Sequence, residues 1–314
     1  MEQVFFYTLN GVLPIFLVIF LGVFLHRLGF FSPTVKSELT KLVFYVGTPC
    51  LIFRQIASTD LRAVVDLPFL VFLVSAIPAL ILLQWAVCFF IRDPKKKGAV
   101  LQLGFRSNCA IVGMPLAINL MSAEGVALTA FALSATIILY NVSAVIILSY
   151  YGGSERRLRP VLLNVLKNPL LISVVLGVIA SLAGLPMDSG AFHYKALENL
   201  GTIASSIGLL IIGASITLKG FTDDRGLIFF SVFLRCVFSP ICIIGTAILL
   251  GFRGDALLAL VIVSATPSAI NSYVMAKQMG VSESISAFGI SFTSLFSLVS
   301  IFASVFILKA SGLA

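Results

Sequence analysis

The sequence predicts an all-α integral membrane protein of ten transmembrane helices, arranged as a 5+5 inverted repeat, and three observations predict it. The chain of 314 residues is 59% hydrophobic and 11% charged, against roughly 25% charged in a soluble domain, so a bilayer must be its solvent. Ten apolar segments approach the about 20 residues a membrane-crossing helix needs. The fourth and ninth carry one string, Pro115-Leu116-Ala117-Ile118-Asn119 and Pro267-Ser268-Ala269-Ile270-Asn271. Interrupted segments in matching positions of two halves point to a transporter binding site.

The first five segments lie near 4–26, 37–57, 67–91, 98–121 and 125–150. The first starts at Glu2 with no basic stretch or cleavage site, so it reads as a span and not as a signal peptide. The fourth is expected to break at its proline, and the fifth holds Tyr140-Asn141. A polar connection from Gly152 to Asn168 follows, with a cytoplasmic linker over 153–167 whose Ser154-Glu155-Arg156-Arg157-Leu158-Arg159 suits a short interfacial helix. It separates a first repeat (1–152) from a second (168–314), whose segments lie near 168–186, 197–218, 226–251, 255–278 and 283–308. An odd number of spans per half gives the second half the opposite polarity. Glu38 and Glu198, each opening the second span of its half, support the correspondence weakly.

Lysine and arginine set the orientation. One set of loops holds 14 of them, including Arg92, Lys95, Lys96 and Lys97, and the other set holds 5, Arg54, Arg62, Lys195, Arg253 and Lys309. The positive-inside rule places the first set in the cytoplasm, which puts both termini on the extracytoplasmic side of a plasma (inner) membrane. The net charge of +8 is thus a topology signal, with membrane lipid and no nucleic acid as the implied surroundings. The cysteines, Cys50, Cys88, Cys109, Cys236 and Cys242, all fall in apolar segments without metal-like spacing and read as small buried hydrophobes.

Proline inside a helix removes one backbone bond and clashes with the preceding turn, and freed groups at membrane depth are tolerated where they line a cavity. Thr266-Pro267 reads as an N-cap followed by the first helical residue; Gly113 gives similar freedom ahead of Pro115. The half-helices beyond would point their N-terminal ends, each worth roughly +0.5 charge, toward one another, which favours an anion. Arg106 lies nine residues past Lys97, roughly 13 Å into the span, and Arg235 lies at similar depth. Every Asp and Glu lies near a span end or in a loop. Intramembrane charges are functional candidates by default, and two arginines without a buried carboxylate call for an anionic ligand; the plainer alternative is an arginine satisfied by carbonyls that the breaks open. Asn108, Asn141, Thr266 and Asn271 would orient the ligand, with Ser107, Ser268 and Asn119 beside them, unless they serve as interhelical packing contacts. The register between repeats stays open: aligning the prolines is one choice, matching Asn108 with Thr266 by depth another.

The second span, Leu39 to Phe53 with Gly47-Thr48-Pro49, together with Arg106-Ser107-Asn108-Cys109-Ala110-Ile111-Val112-Gly113-Met114-Pro115-Leu116, Gly208-Leu209-Leu210-Ile211-Ile212-Gly213-Ala214-Ser215 and Ala265-Thr266-Pro267, resembles the auxin efflux carrier family over nearly the whole chain, in its bacterial and archaeal malate-permease-like branch. The resemblance implies the fold of sodium–proton antiporters and bile-acid symporters: a scaffold domain from spans 1, 2, 6 and 7, a transport domain from spans 3–5 and 8–10, a crossover falling on Pro115 and Pro267, and an elevator motion. It implies a small organic anion, indole-acetic acid in plants and malate and related carboxylates in bacteria, held near Asn108 and Asn141; it also allows a homodimer through the scaffold domain. The polar Ser268-Ala269-Ile270-Asn271 leans toward an acid more polar than auxin. The expected function is therefore secondary transport of a carboxylate without a bound cofactor, with proton or sodium coupling left open. A sodium or proton antiporter on this fold and a non-transporting membrane sensor are the rivals. An enzyme is not expected: no nucleophile–base set is present, and His26 and His193 lie near span ends.

Overall fold

A computed structural model describes residues 1–58, 67–152, 169–187, 190–216 and 224–314. Among these the chain is helical apart from one isolated β-bridge. In chain order the α-helices are α1 (Glu2–Arg27), α2 (Pro33–Leu42), α3 (Thr48–Ala57), α4 (Leu67–Val87), α5 (Pro94–Phe105), α6 (Met114–Leu120), α7 (Ala123–Gly152), α8 (Pro169–Leu182), α9 (Phe192–Ala214), α10 (Arg225–Phe233), α11 (Ser239–Leu249), α12 (Asp255–Ala265), α13 (Asn271–Gln278) and α14 (Glu283–Ala310). Among the described residues six continuous helical stretches are long and apolar enough to cross a membrane: Glu2–Arg27, Leu67–Phe90, Ala123–Gly152, Phe192–Ala214, Arg225–Leu249 and Glu283–Ala310. Cys109–Leu120, Ile172–Leu182 and Asp255–Ala265 are shorter apolar helices. The interfacial helix expected in the linker lies outside the described residues.

Local chemistry sets several helix starts. Ser32 accepts from the Val35 amide ahead of Pro33, Asp93 accepts from the amides of Lys95 and Lys96 ahead of Pro94, and Ser282 accepts from Ile285. Each cap satisfies amides that the first turn cannot pair internally. Large apolar side chains face outward, with Leu249 87%, Phe192 86% and Phe89 81% exposed, an arrangement suited to hydrocarbon and not to water.

Three prolines sit in one local construction. The π turns Val43–Gly47, Cys109–Gly113 and Leu234–Phe238 run directly into Thr48-Pro49, Met114-Pro115 and Ser239-Pro240. A proline ring presses on the carbonyl four residues back and offers it no N–H; the wider π turn makes room. In the third case the carbonyl so freed is Cys236, and Ser300 Oγ of α14 donates to it, the kind of side-chain repair that lets membrane helices carry proline.

Glycine contacts bring the helices close. A Cβ on Gly213 would lie 1.8 Å from the Ile19 carbonyl oxygen, and one on Gly22 would lie 2.2 Å from that of Leu210, so α1 and α9 touch backbone to backbone. Small residues allow such approach in membrane helices. α3 packs on α8 and α9, where Arg54 bonds Glu198 at 2.7 Å and Tyr194 Oη at 3.1 Å. Elsewhere α5 packs on α7, α10 and α14, while α12 packs on α7, α11 and α14. The main core runs through both sets, from Phe16 and Ile52 to Phe105, Leu133, Val263 and Val305.

Candidate functional site at a helix crossing

α5 ends at Phe105 and α12 at Ala265, and the extended residues beyond them pair antiparallel. Ser107 bridges Ser268, the Asn108 amide donates to the Pro267 carbonyl at 2.7 Å, and the Ala269 amide donates to the Arg106 carbonyl at 3.0 Å. Thr266 is extended, with φ −66° and ψ 154°, as the residue ahead of a proline prefers. Two breaks that would each strand peptide groups in the membrane thereby satisfy one another.

This geometry shows which residues face one another across the crossing and corrects two expectations. Asn108 faces Pro267 and not Thr266, and the first break falls at Arg106–Asn108, ahead of the π turn that precedes Pro115. Pro115 belongs to α6, where the π turn absorbs it, so it does not hold the crossing open. Thr266 is no N-cap: it ends α12, its hydroxyl donates to the Ile262 carbonyl at 2.7 Å, and the helix resumes only at Asn271. The Pro-x-Ala-Ile-Asn copies therefore occupy unlike places, one within a helix and one across a break. Gly113 is helical (φ −71°) and acts through close approach, its Cβ position lying 2.4 Å from Ile262 Cγ2.

Arg235, fully buried, takes the carbonyl-bound alternative. Its Nε donates to Thr266 at 2.7 Å, Nη1 to Phe105 at 3.0 Å and Nη2 to Val263 at 2.8 Å, all backbone carbonyls. These oxygens close the C-terminal ends of α5 and α12, where the helix dipoles are negative. One guanidinium thus neutralises both ends and ties them together. Three of the five guanidinium N–H donors of Arg235 thus end on peptide oxygens, as in the alternative weighed against the substrate contact expected of it. Hydroxyls complete the knot: Ser107 Oγ lies 2.6 Å from Thr266 Oγ1, Ser268 Oγ donates to the Leu103 carbonyl at 2.7 Å, and the Ser268 amide donates to Thr293 Oγ1 at 3.2 Å.

Arg106 differs. It is 6% exposed; Nη2 donates to Asn141 Oδ1 at 2.7 Å and Nη1 points at the thioether of Met275. Thioether sulfur is a weak acceptor. Among the described residues the ion pairs are Lys41–Glu38, Arg54–Glu198, Lys96–Asp224 and Lys277–Glu283; none involves Arg106. Asn108, 7% exposed, buries its Nδ2 with no hydrogen-bond partner among the described residues, and the same holds for Gln102 Oε1 and Ser272 Oγ. The site therefore holds an uncompensated positive charge, a spare amide donor and the starts of the two resumed helices.

Of the remaining expected residues, Asn141 joins Arg106, whereas Asn119 is exposed and donates to the Gly11 carbonyl of α1 at 3.2 Å. Asn271 is exposed at the first residue of α13. Sequence reasoning missed Gln102, Met275 and Thr293. Gln102, one turn before Arg106 on the same helical face, was a findable signal; Met275 and Thr293 carried none.

The model of the Membrane transport protein family matches residues 7–305. An "Uncharacterized transporter" of Methanothermobacter thermautotrophicus is 24% identical over 95% of this chain and 98% of its own length. An uncharacterized transporter of Methanocaldococcus jannaschii is also 24% identical, over 93% of this chain and 96% of its own. A protein of Rhizobium meliloti named "Putative malonate transporter" is 22% identical over 96% of both chains.

Proposed function

The chain belongs to the Membrane transport protein family, the auxin efflux carriers, and from that premise we propose that it is a secondary transporter of a small organic anion, a carboxylate in the size range of malonate or malate. One observation carries the reading: the buried Arg106 guanidinium holds only neutral partners, beside the unpaired Asn108 amide. An uncompensated charge in a low-dielectric site is costly, and a carboxylate supplies what Arg106 lacks. In this reading the carboxylate displaces the Met275 contact, takes a charge-assisted bond from Arg106 and accepts from Asn108 Nδ2, while Asn141 keeps the guanidinium oriented. The starts of the resumed helices add positive potential. Arg235 has a positioning role, holding the crossing that presents these groups. The name of the Rhizobium meliloti relative favours the same ligand class.

Alternating access would be an elevator movement of α4–α7 and α10–α14 against α1–α3, α8 and α9. The packing of α1 on α9 and of α3 on α8 and α9 supports a separate scaffold. In this proposal the protein sits in the plasma membrane with both termini extracytoplasmic.

The test is thermal stabilisation of the purified protein by malonate, malate and indole-acetic acid, since a ligand of the native state raises its stability by mass action. The expected result is a concentration-dependent rise with at least one acid, weakened about tenfold or more in Arg106→Gln and in Asn108→Ala, each of which removes a bond of this strength. Sodium-dependent or purely pH-dependent stabilisation, with no response to any acid, would overturn the reading.

A further inference from the structure

We propose that the junction of α4, α5 and α7 is a binding site for an anionic phospholipid, seated by its phosphate on Lys97 and by an acyl chain along α4. Trp85 of α4 donates through Nε1 to Tyr151 Oη of α7 at 2.8 Å. The Lys97 ammonium of α5 lies 5.4 Å from the Trp85 ring and 5.9 Å from the Tyr151 ring. Cation–π contact at this range orients an ammonium without neutralising it. Among the described residues Lys97 forms no ion pair, in contrast to Lys96, which Asp224 holds at 2.6 Å. Arg92 and Lys95 stand exposed beside it, and Asp93, the acid nearest in sequence, spends its carboxylate on the amides of Lys95 and Lys96.

The arrangement is built in. A Cβ on Gly98 would lie 2.8 Å from Tyr151 Cβ, so glycine is what admits the tyrosine, and the Ser282 amide ties the following turn to the Lys95 carbonyl at 3.2 Å. Along α4 and the 3-10 turn Cys88–Phe90 that ends it, Leu82, Trp85 and Phe89 form an outward stripe, 67%, 52% and 81% exposed, at the spacing of one helix face. A free phosphate would use the cations and leave this stripe idle. A phospholipid uses both, with tryptophan and tyrosine at headgroup level as is usual at membrane interfaces.

Trp85 is the only tryptophan, so its fluorescence reports on this site alone. The full-length protein in phosphatidylcholine vesicles is titrated with brominated phosphatidylglycerol or brominated phosphatidylcholine, whose bromines quench a tryptophan they touch. The anionic lipid is expected to reach half-quenching at a mole fraction several-fold lower, on the order of fivefold for each cation engaged. This preference should shrink toward parity in Lys97→Gln and in high salt, persist in Lys97→Arg, and survive replacement of chloride by inorganic phosphate at matched ionic strength. Equal quenching by the two lipids in the unmodified protein would overturn the proposal. So would an undiminished preference in a folded Arg92→Gln/Lys97→Gln variant, or its abolition by inorganic phosphate at an ionic strength where chloride leaves it intact.

Discussion

Arg106 and Arg235 are both buried in the same knot, and their neighbours give them opposite work. Arg235 ends on three backbone carbonyls, so its charge is used up inside the fold; Arg106 ends on a carboxamide and a thioether. The two residues therefore separate experimentally. Arg235→Leu strips three buried carbonyls of their donor at about 1–3 kcal/mol each, so thermal unfolding in detergent should fall steeply, with Arg235→Lys in between because one ammonium meets fewer of the three oxygens. Arg106→Gln should barely lower the melting temperature while weakening the response to acids about tenfold or more; equal losses of stability in both variants would show that Arg106 is a second clamp. The sequence alone flagged both arginines as intramembrane charges. It could not divide their roles, because the carbonyls that bind Arg235 come from residues 105, 263 and 266, brought together only by the crossing.

Helices carry the second lesson, in how proline is accommodated. Breaks were legible as a class from Pro115 and Pro267, yet only the second stands at a break. The first opens at Arg106-Ser107-Asn108, where no proline or glycine stands, because the extended segment 267–269 offers those peptide groups a better partner than the next helical turn. Pro115, Pro49 and Pro240 are instead taken up by π turns, which hydropathy does not reveal. The repair at Pro240 can be tested by a double-mutant cycle. Ser300→Ala removes the donor to the Cys236 carbonyl and should cost about 1 kcal/mol of stability. In a Pro240→Ala background residue 240 regains an N–H that can reach the same carbonyl, so Ser300→Ala should cost clearly less there. Additive losses would mean that Ser300 serves packing and not the orphaned oxygen.

At the scale of the molecule, the class of protein was readable because composition and span-length apolar runs depend on no long-range contact. Which helices move together was not, since that depends on interfaces formed by residues far apart in sequence. One such interface lies where α9 meets the π turn behind the crossing: a Cβ on Gly208 would stand 2.7 Å from Ile111 Cγ2 and 3.9 Å from Ile111 Cβ. Replacing both residues by cysteine removes the close contact and leaves a Cβ separation within the range of about 3.5–4.5 Å that a disulfide spans. In a background with the five native cysteines replaced, oxidation of Gly208→Cys/Ile111→Cys would fasten α9 to the crossing. If α4–α7 and α10–α14 travel against α9, the oxidised protein should lose substrate flux in proteoliposomes and regain it on reduction. It should still bind an acid from the side to which the locked site opens, because the crossing itself is unaltered. Undiminished flux through the oxidised Gly208→Cys/Ile111→Cys protein would rule out relative movement at this contact and confine the transport step to motions within α4–α7 and α10–α14.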